Sequence, residues 1–458
     1  MGPGGSVQRR DFMRAGLGAV GAAALGGTVA SACAPAPGPL IRRGPGPEAG
    51  IDHIVVVMME NRSWDHFMGW LPGGEGIPEG TTYLDDRGVA HEPYRFDRFA
   101  SCGMEDPGHS RTAGLRQLNG GTADGFLFES PDTYPISYHT ADQQAFWGTA
   151  APAWTMCDRY FSAFMGPTWP NRFYQHCAQT PRPDNKLAGA DLPTIWDRIV
   201  QAGLEGRYYF SDAPFAALLG IRHLLVSRTF EQFLDDAAKG RLPHVSFVDP
   251  RFAVSVPFGT SSDYHPLSDI RLGDEFLHQV YEAVTNSPNW ERTVLVVNFD
   301  EWGGFADHVV PDVVPDARAG FGLRGFRVPC LVASPLARRG HVDHRDYDHA
   351  SVLRMIEWAF DLEPLTPARG REQPRGRARP LLTAGSHRPA LGDPRLHTRG
   401  LRRHVRERDL GPAHRRGPAP GLARLSARRG PPLLSDDPSD QFQEFRWHPH
   451  RPPWHRCA

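Results

Sequence analysis

Two short apolar runs, each ending in a pair of polar residues with side-chain oxygens, constrain this chain more than any other feature. The first run, residues 51–59, leads directly into Glu60 and Asn61. The second run, residues 293–299, ends in an equivalent pair. Unbroken runs of this length, rich in β-branched residues, are typical of strands buried on both faces of a parallel sheet. With helical segments between such strands, the chain is expected to form an α/β sheet.

The polar pairs are expected to meet at one edge of that sheet, because open α/β sheets bind ligands at the carboxyl ends of their strands. The four side chains are Glu60, Asn61, Asp300 and Glu301. Neighbouring strand residues point to opposite faces, so both members of a pair reach one ion only where the chain leaves extended geometry. Gly303 and Gly304 permit such a bend after the second pair.

These side chains predict one divalent metal ion. Carboxylate and amide oxygens favour Ca²⁺, Mg²⁺ or Mn²⁺, and a histidine joining them would admit Zn²⁺. Each pair also has an ordinary alternative, since polar residues after an apolar strand often solvate a loop or cap the next helix. Two such pairs together favour the ion and leave its identity open.

Thr168, in the run 165–172 between the two strands, is the candidate nucleophile. A threonine hydroxyl is a poor nucleophile until a metal ion or a base assists the loss of its proton. Thr168 therefore needs metal ligands and histidines nearby, and this combination is a common one for breaking phosphate esters.

Four separated blocks carry a family resemblance: residues 52–67, residues 166–172, residues 263–266 and residues 300–309. Together they resemble the bacterial phosphoesterases that include secreted phospholipases C and related acid phosphatases, whose fold is like that of alkaline phosphatase. The resemblance covers the chain from about Gly50 to about Leu365. The phospholipase C branch is closer, because the phosphatase branch tends to have serine at the position of Thr168. Trp64 stands where the family usually has phenylalanine.

The resemblance implies an α/β, alkaline-phosphatase-like fold with a predominantly parallel central sheet flanked by helices. It assigns the metal to the two polar pairs and the attack on phosphorus to Thr168, with His109 and His265 lining the phosphate pocket. The expected reaction is in-line attack by the threonine oxygen to give a phosphothreonine. His265 or His109 then protonates the diacylglycerol oxygen, and water hydrolyses the intermediate.

Further site candidates have more ordinary alternatives. Trp169 and Arg172 are candidate substrate-binding residues, and Trp169 could hold a choline headgroup by cation–π attraction. Four other aromatic residues could take the same role but fit a core equally well: Trp64, Trp154, Tyr160 and Trp302. Asp263, Asp307 and His308 are expected to support the ligands from behind.

The histidines have structural alternatives as well. His109 could simply bond to the backbone of its loop. His265 precedes a proline, which favours an extended loop in either case. His53 is expected in the core, and His349 at the start of a helix capped by Asp348.

The chain divides by composition into four parts. Residues 1–33 are predicted to be a twin-arginine export signal, with Arg9 and Arg10 before a small-residue apolar stretch. Lipidation of Cys33 is the minority alternative to cleavage after residue 32. Residues 34–49 form a Pro/Gly linker, and residues 50–367 form the phosphoesterase domain. The protein is therefore expected to be exported, and either secreted or associated with the cell envelope.

Residues 368–458 are rich in Arg, Pro, Gly and His and cannot bury a core. A basic arm for nucleic acid or anionic lipid is one interpretation. The preferred one is the product of a frameshift near Ala368. The net charge of −1 then combines an acidic catalytic part with a basic extension, so it indicates little about partners.

Four cysteines of the predicted domain could form disulfides in an oxidising compartment or stay free and buried: Cys102, Cys157, Cys177 and Cys330. No segment after the signal is long and apolar enough to cross a membrane. The expected partner is a phospholipid at a membrane surface and not a nucleic acid, while the oligomeric state stays open.

Three functions are compatible with the sequence. The first is a phospholipase C acting on glycerophospholipids such as phosphatidylcholine. The second is a broad acid phosphatase that uses the same metal and nucleophile on monoesters. The third is a surface protein that has lost catalysis together with its native C-terminus.

Overall fold

An eight-stranded sheet forms the centre of the protein. The computed structural model describes residues 50–186, 188–253 and 259–365. The strands of the sheet are β1 (His53–Met59), β6 (Thr155–Cys157), β7 (Gly206–Phe210), β8 (Ser227–Thr229), β9 (Val245–Asp249), β10 (Thr293–Phe299), β11 (Cys330–Ala333) and β12 (His341–Asp343). Two small two-stranded sheets lie outside it and contain β2 (Tyr83–Leu84), β3 (Ala90–His91), β4 (Tyr94–Arg95) and β5 (Ser137–Tyr138).

The order across the large sheet is β12-β6-β11-β10-β1-β9-β7-β8. Strand β1 pairs in parallel with β10 on one side and with β9 on the other. Of the eight strands described in this sheet, β11 alone runs antiparallel to its neighbours. The prediction of an α/β fold with a predominantly parallel central sheet is confirmed.

Helices flank the sheet, as predicted. The α-helices are α1 (Trp64–Met68), α2 (Arg111–Leu118), α3 (Ala145–Ala153), α4 (Thr168–Cys177), α5 (Ile195–Gln201), α6 (Phe230–Ala238), α7 (Ile270–Thr285) and α8 (His349–Ala359). Short 3-10 helices occur at Asn119–Gly121, Tyr134–Ile136, Ala141–Gln143, Phe215–Leu219, Ile221–Val226 and Trp290–Arg292. Helix α4 packs against α5 and α8, while α7 packs against α3 and α6.

Local sequence explains where several helices begin. Asp348 accepts a hydrogen bond from the Ala350 amide at the start of α8, as the predicted N-cap should. Thr194 and Thr229 form capping boxes at the starts of α5 and α6. Helix α7 begins at Ile270, where the side chain of Asp269 caps it by accepting from the Arg271 amide.

The core lies on both faces of β1 and β10, whose residues after His53 are all buried. His53 itself is half-buried and bonds through Nδ1 to the Pro243 carbonyl at 3.0 Å. Cys157, Cys177 and Cys330 are buried and free, so no disulfide joins the four candidate cysteines to one another. Within the described residues, no helix combines the length and hydropathy that a membrane span requires.

Several sequence predictions fall on residues that the structure does not describe. They are the export signal at residues 1–33 with Cys33, the linker at residues 34–49 and the basic tail at residues 368–458.

Candidate active site

The two polar pairs lie side by side at the carboxyl ends of β1 and β10. These strands are paired in register up to Met59 and Phe299, so Glu60 and Asp300 follow at the same level. The Asn61 amide donates to Asp300 Oδ1 at 3.2 Å, and Asn61 Nδ2 donates to Glu60 Oε2 at 3.1 Å. Residues more than 230 positions apart therefore form one cluster.

Three buried oxygens of this cluster accept no hydrogen bond from the residues that the structure describes: Asn61 Oδ1, Asp300 Oδ2 and Glu301 Oε1. Each unsatisfied buried acceptor costs about 1–3 kcal/mol. Their other oxygen atoms are engaged, since Asp300 Oδ1 accepts from the Glu301 amide at 2.7 Å and Glu301 Oε2 from the Gly303 amide at 2.6 Å. The donor set consists of hard oxygens and fits a divalent cation.

Burial raises the pKa of Asp300 to about 7. Burial, with the negative charge of Asp300 adding to it, holds the pKa of Glu301 well above its ordinary value. Two adjacent carboxyl groups in the interior are costly when both are charged. A cation bound between them would favour the charged forms.

The backbone around the predicted ligands leaves extended geometry, as the alternation of strand side chains requires. Asn61 has a φ of 64°, in the left-handed region that asparagine tolerates better than most residues. Gly303 and Gly304 also have positive φ, and a Cβ on Gly303 would lie 2.2 Å from the Asn61 carbonyl oxygen. The bend expected at the glycine pair is thus present.

Thr168 is the first residue of α4, directly after Pro167. Its Oγ1 is buried and has no hydrogen-bond partner in the described part of the chain. Asn171 fixes the preceding turn, because it accepts from the Phe164 amide at 2.9 Å and donates to the Gly166 carbonyl at 3.0 Å. The first amides of a ten-residue helix and its dipole favour an anion at this end.

Arg172 lies one helical turn after Thr168, so the two side chains share a face of α4. Its guanidinium is buried and pairs with Glu60 at 3.2 Å and with Asp249 at 3.0 Å. Although burial opposes it, the charges of Asp249 and Glu60 raise the pKa of Arg172. The residue predicted to bind substrate therefore contacts carboxylates of the chain itself.

His109 and His265 lie next to that cluster, and their ring centroids are 6.0 Å apart. Each ring donates from Nδ1 to a backbone carbonyl, His109 to Pro107 at 2.8 Å and His265 to Pro266 at 2.9 Å. In the neutral ring this tautomer leaves Nε2 without a proton, as a possible acceptor. His109 Nε2 is 4.0 Å from Glu301 Oε1, so the two histidines and the acidic cluster lie at one site.

Asp106 is a third member of the histidine group. Its carboxylate lies 3.6 Å from His265 Nε2, and ligating atoms of Asp106, His109 and His265 all lie within 4.8 Å of one another. Asp263 supports the same loop from behind, since its Oδ1 accepts from the His265 amide at 2.8 Å and from Ser261 Oγ at 2.6 Å.

Asp307 and His308 belong to a separate buried network of charges. Arg327 pairs with Asp307 at 2.8 Å and with Asp65 at 2.9 Å, and His308 Nδ1 contacts Asp65 at 2.7 Å. Burial raises the pKa of Asp307 to about 6, with Arg327 opposing the shift. This network joins α1 to the segment after β10.

The aromatic candidates are buried. Trp169 is 6% exposed, and its amide donates to Asn185 Oδ1 at 2.8 Å. The core contains the remaining ones: Trp64, Trp154, Tyr160 and Trp302.

Three site residues were absent from the sequence prediction: Arg62, Asp106 and Asp249. Asp249 ends β9, so the rule that identified the two polar pairs would have found it. Asp106 precedes His109 by three residues in a loop, where no periodic pattern marks it. Arg62 donates to the Tyr264 carbonyl at 2.9 Å beside His265, a contact between distant segments that the sequence alone does not indicate.

Comparison with known proteins adds family information. The model of the Phosphoesterase family matches residues 51–363. Phospholipase C B of Mycobacterium tuberculosis is 30% identical over an alignment of 426 residues, which covers 74% of this chain and 80% of that protein. Non-specific phospholipase C6 of Arabidopsis thaliana is 29% identical over 360 residues, covering 69% of each chain.

Among solved structures, a protein of the alkaline phosphatase superfamily from Vibrio parahaemolyticus aligns over 81% of this chain and 77% of its own. The identity is 13% and the TM-score is 0.37. A score this low adds nothing to what the sheet itself shows about the fold.

Proposed function

Because the chain belongs to the Phosphoesterase family, we propose that it is a phospholipase C that cleaves the glycerol-side phosphodiester of phospholipids such as phosphatidylcholine. The products are diacylglycerol and a phosphorylated headgroup. The broader class, hydrolysis of phosphoric diesters, follows from the family and from relatives that are themselves phospholipases C. The lipid substrate and the catalytic roles below are the proposal.

One observation carries the proposal: among the predicted nucleophile and metal ligands, four buried side-chain oxygens have no hydrogen-bond partner within residues 50–186, 188–253 and 259–365. They are Thr168 Oγ1, Asn61 Oδ1, Asp300 Oδ2 and Glu301 Oε1. With Glu60, the last three side chains would hold one divalent ion. When bound, such an ion would lower the pKa of a nearby hydroxyl and offset charge on the phosphate.

Thr168 attacks phosphorus from the N-terminus of α4, and its position there brings the helix amides toward the phosphate oxygens. The new bond is between Oγ1 and phosphorus, and the bond to the glycerol oxygen breaks. Arg172 holds Glu60 in place through their ion pair. Asn171 keeps the turn before Thr168 rigid through its hydrogen bonds.

His265 or His109, in its charged form, protonates the departing glycerol oxygen from Nε2, because Nδ1 of each ring is committed to a carbonyl, and the other histidine accepts the Thr168 proton at Nε2. Water then attacks the phosphothreonine and gives its proton to the histidine that was left neutral. The bond between phosphorus and Oγ1 breaks, and the other histidine returns the proton to Oγ1. Asp263 orients the His265 backbone through its hydrogen bond to the amide.

Export by the twin-arginine pathway is part of the proposal, and its support is the sequence Arg9-Arg10 followed by the apolar stretch. Export would place the enzyme where extracellular phospholipid is its substrate.

The nucleophile is tested by replacing Thr168 with Val and, as a matched control, with Ser. T168V should reduce kcat at least about a thousandfold, since the nucleophilic step is lost, while T168S should keep measurable turnover. Acid quenching of wild-type turnover should trap phosphate on a peptide containing residue 168, detected by mass spectrometry. Wild-type-like kcat in T168V would remove this residue from the role.

The substrate class is tested with three compounds: phosphatidylcholine, sphingomyelin and p-nitrophenyl phosphate. A phospholipase C releases diacylglycerol from the first. Preference for the monoester would instead identify an acid phosphatase. Turnover of none of them by metal-reconstituted protein would indicate that the chain has lost catalysis.

A further inference from the structure

Two free cysteines lie opposite each other on neighbouring strands of the large sheet. Strands β6 and β11 are antiparallel, with Met156 opposite Leu331 and Thr155 opposite Val332. One step further along the same pairing, Cys157 is opposite Cys330. Directly opposite residues of an antiparallel pair direct their side chains to the same face of the sheet. The two thiols, which are far apart in the sequence, therefore face each other.

The backbone spacing of this pair suits a disulfide. Directly opposite residues of antiparallel strands have Cα atoms about 4.5 or 5.5 Å apart, depending on the type of pair. Disulfides join cysteines whose Cα atoms are roughly 4.4–6.8 Å apart. Both possible spacings fall within that range, so the bond requires rotation of the side chains and little movement of the strands.

The two thiols already interact in the reduced protein. Hydrogen bonding with the Cys330 thiol raises the pKa of Cys157, and burial raises it further. Both residues are buried, at 1% exposure for Cys157 and 0% for Cys330. The reduced pair is therefore in contact before any bond forms, with water excluded around it.

Cys177, the third free cysteine of the described residues, is not placed to compete. It is buried as well, but it lies at the C-terminal end of α4, which packs against α5 and α8. The strand pairing that brings Cys157 and Cys330 together does not include it. The register thus selects one pair from the three free thiols.

The edge of the sheet gives an oxidant a route to the pair. Strand β6 is next to β12, the last strand at this edge, and Cys157 is opposite Asp343 there. All three residues of β12 are half-buried, and a strand of three residues is held by few backbone hydrogen bonds. Short edge elements of this kind open locally at a lower cost than the core. Opening of β12 would expose the Cys157 thiol while the rest of the sheet stays folded.

We propose that Cys157 and Cys330 form a disulfide when the protein encounters a disulfide oxidant such as oxidised glutathione, as in an oxidising compartment. The Cys157 thiolate attacks one sulfur of the oxidant, whose S–S bond breaks and releases one thiol. The Cys330 thiolate then attacks the Cys157 sulfur of the mixed disulfide and releases the second thiol. The two cysteines lose two electrons and two protons, and the oxidant gains them. This chemistry is independent of the proposed function.

The bond would join β6 to β11 beside the strand that carries the acidic cluster. On its other side Cys330 is opposite Asn298 of β10, whose Nδ2 donates to Gln175 Oε1 of α4 at 2.9 Å. A disulfide between residues so distant in the sequence removes much of the conformational freedom of the unfolded chain. It should therefore stabilise the part of the sheet on which α4 rests.

The test treats full-length wild type with oxidised glutathione, alkylates the remaining thiols in denaturant and maps the peptides by mass spectrometry. A peptide that joins Cys157 to Cys330 is expected, and reduction should remove it. C177S, which lacks the third buried free cysteine, is the matched control and should form the same linked peptide. Oxidation should raise the thermal midpoint of wild type and of C177S by about 5 °C or more, and should not raise that of C157A/C330A.

A second measurement on wild type alone covers the case in which C157A/C330A folds poorly. Refolding from urea in a glutathione redox buffer lets the thiols pair before they are buried, and the same linked peptide is expected. Alkylated Cys157 and Cys330 after both treatments, or a link from either of them to Cys177, would overturn the proposal. A linked protein whose midpoint equals that of the reduced protein would overturn the stabilising role of the bond.

Discussion

Gly303 shows at the scale of a single residue how little room the acidic cluster has. A Cβ at this position would meet the carbonyl oxygen, the carbonyl carbon and the Cα of Asn61 within 2.8 Å. Gly303 also has a φ of 67°, which costs any residue with a Cβ about 1–2 kcal/mol. A side chain here must therefore push a predicted metal ligand out of place.

We expect G303A to lower both metal content and stability. Gly320 provides a matched control, since it has a φ of 78° and a Cβ there would meet nothing within 4 Å. The free energy of unfolding of G320A should fall only by the cost of a positive φ. That of G303A should fall by roughly 2 kcal/mol more, and G303A should bind metal less tightly. Urea unfolding and elemental analysis of the purified variants measure the two effects. Equal losses in both variants would show that the Asn61 contact is unimportant.

Individual side chains were predictable where one local pattern identified them. Glu60 and Asp300 each follow an unbroken apolar strand, and the structure brings them to one cluster. The position of Arg172 against Asp249 was not predictable, because it depends on how α4 packs over β9. A charged residue in a helix gives no local sign of which distant carboxylate it will contact.

Helix α7 stabilises the loop that carries His265 through one carboxyl group. Tyr264 packs against Gly273, where a Cβ would lie 2.5 Å from its ring, and its hydroxyl donates to Asp274 Oδ1. Burial raises the pKa of Asp274 from its ordinary value of 3.8 to about 7, while the hydrogen bond from Tyr264 opposes the shift. The helix thus contains an acid that is largely protonated below neutral pH.

This shift predicts how stability depends on pH. The folded protein holds the Asp274 proton more tightly than the unfolded chain does. The stabilisation that this proton contributes to the free energy of unfolding is therefore complete below pH ~4 and is lost as pH rises through ~7. D274N has no proton to lose, and asparagine keeps an acceptor for Tyr264. Its free energy of unfolding relative to wild type should rise by on the order of 2–4 kcal/mol between pH 4 and 8. Urea titrations at several pH values measure it, and a difference that stays constant would contradict the assignment.

Among the elements, β1, β10 and α8 were predictable from apolar runs and a cap. The antiparallel direction of β11 was not, because its residues Cys330–Ala333 are as apolar as those of the parallel strands beside it. The direction of β11 depends on the connection that joins it to β10, and among the described residues this connection contains no α-helix. Strands of two or three residues, such as β12, also carry too few positions to show a period.

At the scale of the whole molecule, a cation bound at the acidic cluster would couple metal binding to folding. Asp300 and Glu301 are buried at the end of β10, and the proposed ligand set includes Glu60 and Asn61 from the end of β1. A cation that binds these groups only in the folded state stabilises that state by mass action. The stability of the protein should therefore depend on metal concentration.

We expect a chelator to lower the thermal midpoint by roughly 5 °C or more. Adding back Ca²⁺, Mg²⁺, Mn²⁺ or Zn²⁺ separately should restore it to different extents and so identify the preferred ion. E301Q, which retains the size of the side chain but loses its charge, should respond less to both treatments. Differential scanning fluorimetry measures the midpoints. Identical midpoints with chelator and with every ion would argue against a metal centre.

The fold class was predictable as a whole because two long apolar strands with polar ends allow few architectures. The complete site was not, since it also needs loops such as residues 103–110, whose path depends on tertiary contacts. His109 was identified through the family resemblance, and its neighbour Asp106 emerged only from the three-dimensional arrangement.

The central place of β1 has a consequence for synthesis. Both of its edges pair with strands that the ribosome produces much later, β9 near residue 245 and β10 near residue 293. Until those strands are made, β1 is an apolar segment of the nascent chain whose backbone hydrogen-bonding groups are unpaired, which favours association with other polypeptides. Most of the described chain must leave the exit tunnel before β9 and β10 can pair with β1. Holdase chaperones should therefore bind this protein during translation.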